Sequence, residues 1–308
     1  MDFDLPPAKN DSPIADLSYR NYTGPLLSRS IRWWIISFAM LRLLKKNIGF
    51  WITTGVIVLI HFMLGVQLYF TSNTPQIAQM FSSEDIHHKY AATFFQALGI
   101  QGLMVFIIAL TVGSGSIAAD NKANAMMVYL AKPITKGDYL LGKWMGVFLT
   151  LFLTTFGPAF ILYSYCLFSY LSKGFLKNEP TLILKIFLAC ALQATVHASI
   201  IVGCSSWSKT PRMANIFYAS LYFVSSFVST IVWGFTARGR MGEAVLIQHL
   251  SISGIIQGLA QNLFGVKTPL TNISPPPYLP LLLLAIALCV IGIGAARAKI
   301  HAVEVVTG

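Results

Sequence analysis

Runs of about 20 apolar residues recur along most of this chain, and each can cross the roughly 30 Å hydrocarbon core of a bilayer as an α-helix. Hydrocarbon offers no hydrogen-bond partner, so a run of that length must satisfy its backbone within itself. Six such spans are read at residues 48–70, 92–114, 145–170, 181–206, 216–236 and 278–296, the fourth and fifth carrying many Ser and Thr. Only 11% of the 308 residues are charged, against roughly a quarter in a soluble domain, and the mean hydropathy is +0.66. The expected fold class is all-α, a single polytopic membrane domain with six transmembrane helices.

The domain plan follows from where polar residues resume. Residues 1–27 form an N-terminal tail and residues 28–47 an interfacial amphipathic helix. Residues 48–296 hold the six spans, and residues 297–308 a C-terminal tail. The start, MDFDLPPAKNDSPIADL, is acidic and proline-bearing, which predicts no cleavable signal and a first span that stays as a signal anchor. With the N-terminus inside, only Lys89, Lys173, Lys177, Lys185, Arg238, Arg240 and Lys267 of the 22 basic residues lie outside. That bias predicts a multi-pass protein of the plasma (inner) membrane with both termini cytoplasmic. The net charge of +11 sits at membrane borders rather than on one soluble face, so the expected partner is anionic lipid and not nucleic acid.

The segment LLSRSIRWWIISFAMLRLLKKN carries Arg29, Arg32, Arg42, Lys45 and Lys46 on one half of a helical wheel. Trp33, Trp34, Met40, Leu41 and Leu44 occupy the other half, as in a helix lying at the membrane interface. In the first outer loop Glu84, His87 and His88 do not match a zinc-site spacing and read as solvated. Residues 237–277 include a stretch at 244–264 too apolar for a loop and broken by Ser251, Ser253, Gly254 and Gly258. Half-helices re-entering the outer leaflet are the expectation, a further full span the competitor.

None of the 11 acidic residues falls within a span, so no intramembrane carboxylate stands ready to relay protons or coordinate sodium. His61 and His197 are expected to be hydrogen-bonded packing residues, and the four cysteines, Cys166, Cys190, Cys204 and Cys289, small buried groups rather than disulfides. Gly157 and Pro158 predict a kink in the third span, and Tyr163, Tyr165, Phe168 and Tyr170 an interfacial aromatic belt at its outer end.

The longest polar cytoplasmic segment lies at residues 115–143, between the second and third spans. Within it, NKANAMMVYLA has the composition of a short helix that Pro133 stops, and Thr135 or Asp138 can cap a second helix running into the third span. The second helix opens with KGDYLLGKW, which approaches the phosphate-loop pattern G-x-x-x-x-G-K-[ST] at Gly137, Gly142 and Lys143. Trp144 replaces the hydroxyl that would hold magnesium, and a membrane span follows. No nucleotide is expected to bind there.

Asp120, Lys122, Ala123, Ala125, Leu130, Pro133, Lys136, Tyr139, Leu140, Leu141, Gly142 and Lys143 together resemble the coupling region of ABC-2 type transporter permeases. The interfacial N-terminal helix, the six spans and the re-entrant outer segment are similar to that family as well. One departure is a coupling segment poor in acidic residues where relatives often carry a Glu. The resemblance implies a chain with no cofactor of its own, ATP and magnesium being held by a partner ABC ATPase subunit. It also implies pairing with a second permease copy or a paralogue, and movement received through a coupling helix over residues 120–133, with Lys132 beside Pro133. The implied activity is export of an amphipathic or lipid-like substrate, the substrate class resting on the uncharged span interior. The alternative is a stand-alone secondary transporter or channel, which predicts inverted repeats that the two halves do not display. An intramembrane hydrolase lacks its motifs, neither G-x-S-x-G nor H-E-x-x-H being present.

Overall fold

The computed structural model describes residues 31–74, 89–125, 134–236, 247, 249–266 and 276–300. Expectations for Arg29, Glu84, His87, His88, Leu130, Lys132, Pro133, the N-terminal tail, residues 237–246 and residues 301–308 of the C-terminal tail lie outside the described residues. All regular structure among the described residues is helical. In chain order the helices are α1 (Arg32–Leu44), α2 (Ile48–Asn73), α3 (Lys89–Gly113), α4 (Gly115–Lys122) and α5 (Lys136–Tyr170). They are followed by α6 (Phe175–Asn178), α7 (Leu182–Trp207), α8 (Pro211–Thr236), α9 (Ile252–Phe264) and α10 (Tyr278–Lys299). Six are long and apolar enough to cross a membrane: α2, α3 with its extension α4, α5, α7, α8 and α10. They coincide with the six spans read from the sequence.

Helix α7 is the hub. Its most apolar stretch is 72% buried, against 17% for α8 and for α10, and it packs against α3, α4, α5, α8, α9 and α10. The Ser and Thr content that clouded its sequence signal is accommodated inside the helices themselves. Ser199 and Ser206 donate to the carbonyls of Thr195 and Gly203, and on α8 Ser225 and Ser226 donate to that of Tyr222. A hydroxyl bonded in this way leaves no donor unpaired in lipid.

Packing without a hydrophobic drive between helices relies on close backbone approach at small residues. The α7–α10 contact is such a case: a Cβ added to Gly203 would stand 2.7 Å from the Gly292 carbonyl oxygen, and one added to Gly292 would strike the Ser199 carbonyl. Helix α1 packs on α5 similarly, since a Cβ on Gly142 would lie 2.8 Å from the Trp33 carbonyl oxygen and one on Gly146 2.8 Å from Met40 Sδ. One turn separates the two glycines, so α1 rests along α5 instead of lying free at the interface. Trp33 and Trp34 differ in their surroundings within the chain. Successive helical side chains diverge by about 100°, and Trp33 is half-buried while Trp34 is 43% exposed.

Helix α5 has 35 residues, about 50 Å at 1.5 Å per residue, and therefore projects beyond the hydrocarbon at one end. It continues through Pro158 without a break. The expected aromatic belt near Tyr170 divides in two. Tyr163 and Tyr170 are buried with Tyr90 and Phe175, ring centroids 4.8–5.7 Å apart, whereas Phe168 is 84% exposed. Positions 163 and 170 lie two turns apart on the inward face, and 168 points away. Helix α9 has 13 residues, about 20 Å, too short to cross. It packs beside Phe95 and Gly99 in the first half of α3.

Gly292→Leu or Gly203→Leu should therefore destabilise the fold by about 1–3 kcal/mol or more through overpacking, seen as a lowered Tm of the purified protein in detergent. Gly234→Leu, where an added Cβ meets nothing within 4 Å, should leave the Tm unchanged.

Candidate functional site

The polar end of the bundle that carries α1, α4 and the start of α5 is held by a small set of saturated hydrogen bonds. Between α3 and α4 the helix breaks at Ser114, which leaves amide groups needing partners. Ser205 of α7 supplies them: its Oγ accepts from the amides of Ile117 (3.0 Å) and Ala118 (2.9 Å) and donates to the Ser114 carbonyl (2.7 Å). One hydroxyl thus uses its donor and both lone pairs. Asn121 donates to the carbonyls of Ser206 and Ser208, each at 3.2 Å, fastening the far end of α4 to the end of α7.

Helix α5 begins with a reciprocal cap. Thr135 Oγ1 accepts from the Asp138 amide at 3.1 Å, and Asp138 Oδ2 accepts from the Thr135 amide at 3.2 Å. A cap of this kind contributes about 1 kcal/mol and fixes where the helix starts. One turn on, Tyr139 is fully buried and donates its hydroxyl to Asp120 Oδ2 at 2.7 Å. Lys143 reaches the same oxygen at 2.7 Å, its ammonium 5.5 Å from the Tyr139 ring centroid. Asp120 thereby binds α4 to α5 through two charge-assisted contacts, a class about twice as strong as neutral pairs. On the other side of α5, the buried Ser37 of α1 donates to the Gly142 carbonyl at 2.8 Å, and Trp144 donates to Ser199 of α7 at 3.0 Å.

The structure therefore brings Asp120, Tyr139 and Lys143 together and sets Gly142 against α1 on the other side of α5, while Lys122 and Lys136 lie exposed on the surface. Arg32 is half-buried, and Arg42, Lys45 and Lys46 are exposed along α1 and the turn after it. KGDYLLGKW is helical from Lys136 onward, with Gly142 pressed against α1. A phosphate loop needs free, concave amides, and here those amides belong to a helix that is already packed. Ser37 and Ser205 were not anticipated. A serine pair at the end of the fourth span was the available signal for Ser205, but only the tertiary fold shows that one of the pair faces Ser114.

Within the spans, Gln101 Nε2 donates to Gln193 Oε1 at 3.2 Å, joining α3 to α7. His197 is hydrogen-bonded to the Tyr218 hydroxyl, and Phe106 stacks on Tyr218 and Tyr222 with centroids 5.2 and 4.3 Å away. These contacts hold α8, otherwise mostly exposed, against the core. Buried Glu179, beyond α6, pairs with Lys185 at 3.5 Å. All four cysteines are free, and among the described residues no cluster of His, Cys, Asp and Glu could hold a metal ion.

Tyr139→Phe should cost about 1.5–3 kcal/mol, the range for a hydrogen bond to a charged group, measured by thermal unfolding in detergent. Thr135→Ala should cost about 0.5–2 kcal/mol and accelerate amide hydrogen exchange selectively over the first turn of α5.

No curated protein matches this chain. A family model described as ABC-2 family transporter protein matches residues 28–276, a stretch that runs from just before α1 to the threshold of α10. It takes in the clamped polar end and five of the six candidate spans. The match covers most of the chain, and the chain belongs to the ABC-2 transporter permease family.

Proposed function

We propose that this chain is the membrane-spanning permease subunit of an ATP-driven ABC exporter, with ATP and magnesium bound by a separate ATPase subunit. In this reading two permease copies, or one copy and a paralogue, pair in the plasma (inner) membrane with both termini cytoplasmic. The cargo is amphipathic or lipid-like. The observation that carries the proposal is the rigid joint at the polar end. Helix α4 is fixed to α7 through Ser205 and Asn121, and to α5 through Asp120. A push delivered between Lys122 and Lys136 would pass directly into three spans, which is what a subunit powered from outside the membrane requires. A bundle whose only described span carboxylates, Asp120 and Asp138, lie at the polar end suits an amphipathic cargo better than an ion.

Affinity purification of the full chain from its native membrane tests this. The expected result is a co-purifying ATPase whose retention falls about tenfold, the effect of roughly 1.4 kcal/mol of lost affinity, in Leu130→Asp and in Lys136→Glu. Lys177→Glu, an exposed change at the opposite end, should leave retention intact. Ion-gradient-driven transport by the isolated chain in liposomes, with no ATPase bound, would overturn the reading.

A further inference from the structure

A small inner cavity lies where α2, α3, α5, α7 and α9 converge, with His61, Ala97, Gln101, Ala159, Cys190 and Phe264 in its lining. It offers about 10 Å³ in which the centre of a water molecule can lie, close to the least that holds one water. No organic ligand fits so small a space. Two buried side chains of the lining each carry a polar atom with no hydrogen-bond partner among the described residues, His61 at Nε2 and Gln101 at Oε1.

Both atoms are acceptors, as the bond at the other end of each side chain requires. His61 Nδ1 lies 2.9 Å from the Ile57 carbonyl oxygen, and a carbonyl can only accept, so Nδ1 carries the proton and Nε2 of the neutral ring presents a lone pair. Gln101 Nε2 donates to Gln193 Oε1 at 3.2 Å, which leaves the amide oxygen of Gln101. Neither Ile57 nor Gln193 lines the cavity. The bonded ends therefore point away from it, and the free ends are what His61 and Gln101 have left to present to it. Two acceptors cannot satisfy each other, and each left unpaired in the bundle costs its full desolvation.

We propose that the cavity binds one water molecule, which donates one hydrogen to His61 Nε2 and the other to Gln101 Oε1. The two donors of a water match the two acceptors, and its size matches the space. The result is a polar tie inside the bundle that runs from His61 through the water to Gln101 and on to Gln193. Helix α2 packs chiefly on α3 and α5, and its most apolar stretch is only 28% buried. The tie joins it to the hub helix α7 as well. This assignment is independent of the permease reading.

The test is solid-state NMR of the full chain, carrying isotope-labelled histidine, in bilayers of deuterated lipid. The His61 signals are assigned by their loss in His61→Phe, and polarisation is transferred from water protons to the imidazole rings. The expected result is a His61 ring protonated at Nδ1 alone, with a water contact at Nε2. In Ala97→Val, whose added methyl groups take up the cavity, that contact should be lost. Thermal unfolding in detergent gives a second measure. His61→Phe and Gln101→Met should each lower the Tm, and the double variant should lose less than the sum, because removing both acceptors leaves neither of them orphaned. A proton on Nε2, no water contact at His61, a contact that persists in Ala97→Val, or strictly additive losses of Tm would each overturn the proposal.

Discussion

Hydrocarbon supplies no hydrogen-bond partner, and every part of this structure answers to that constraint. The spans satisfy their backbones as helices, and their hydroxyls fold back onto carbonyls one turn earlier. Side chains too long for that remedy find one another, as Gln101 finds Gln193 and His197 finds Tyr218. Among the described residues the buried side-chain atoms left without a partner are His61 Nε2, Gln101 Oε1, Ser116 Oγ and Asn215 Oδ1. Two of these residues, His61 and Gln101, line the same inner cavity.

The same constraint explains how the helices are joined to one another. Small residues let α10 meet α7 and α1 meet α5 at backbone distance. At the polar end Ser205 and Asp120 convert a helix break and a loop into a joint with few free degrees of motion. The helix extension α4, the first turns of α5 and the end of α7 form one mechanical piece. Helix α8 is attached differently, through an aromatic stack, a His–Tyr contact and serine hydrogen bonds to Ile247, Ile252 and Ser253. Together with α10 it is the least buried of the candidate spans.

Much of the fold was legible beforehand. Apolar run length identified the six spans because bilayer thickness sets it, and the cap of α5 was narrowed to Thr135 or Asp138, which the structure shows acting together with Thr135 at the N-cap. The near-miss to a phosphate loop was legible too, since Trp144 has no hydroxyl. What was not legible required knowing which helix lies beside which. Ser205 reads as one more small polar residue in a Ser-rich span until α4 is placed against it. Trp34 and Phe168 read as inward or interfacial aromatics until the neighbouring helices show which faces are already covered. Tyr139 was singled out as part of the coupling segment, but that its hydroxyl and Lys143 share one oxygen of Asp120 is a fact of three-dimensional placement.

By itself the sequence determined the solvent, the number of spans and where the helices begin, because these depend on composition and on neighbours within one turn. Only the tertiary structure decided that α7 is the hub, that α1 is docked on Gly142 and Gly146, and that Asp120 joins α4 to α5. Those outcomes depend on contacts between residues far apart in the chain, such as Ser37 with Gly142 or Ser205 with Ser114. Local periodicity carries no record of which distant helix will supply the partner.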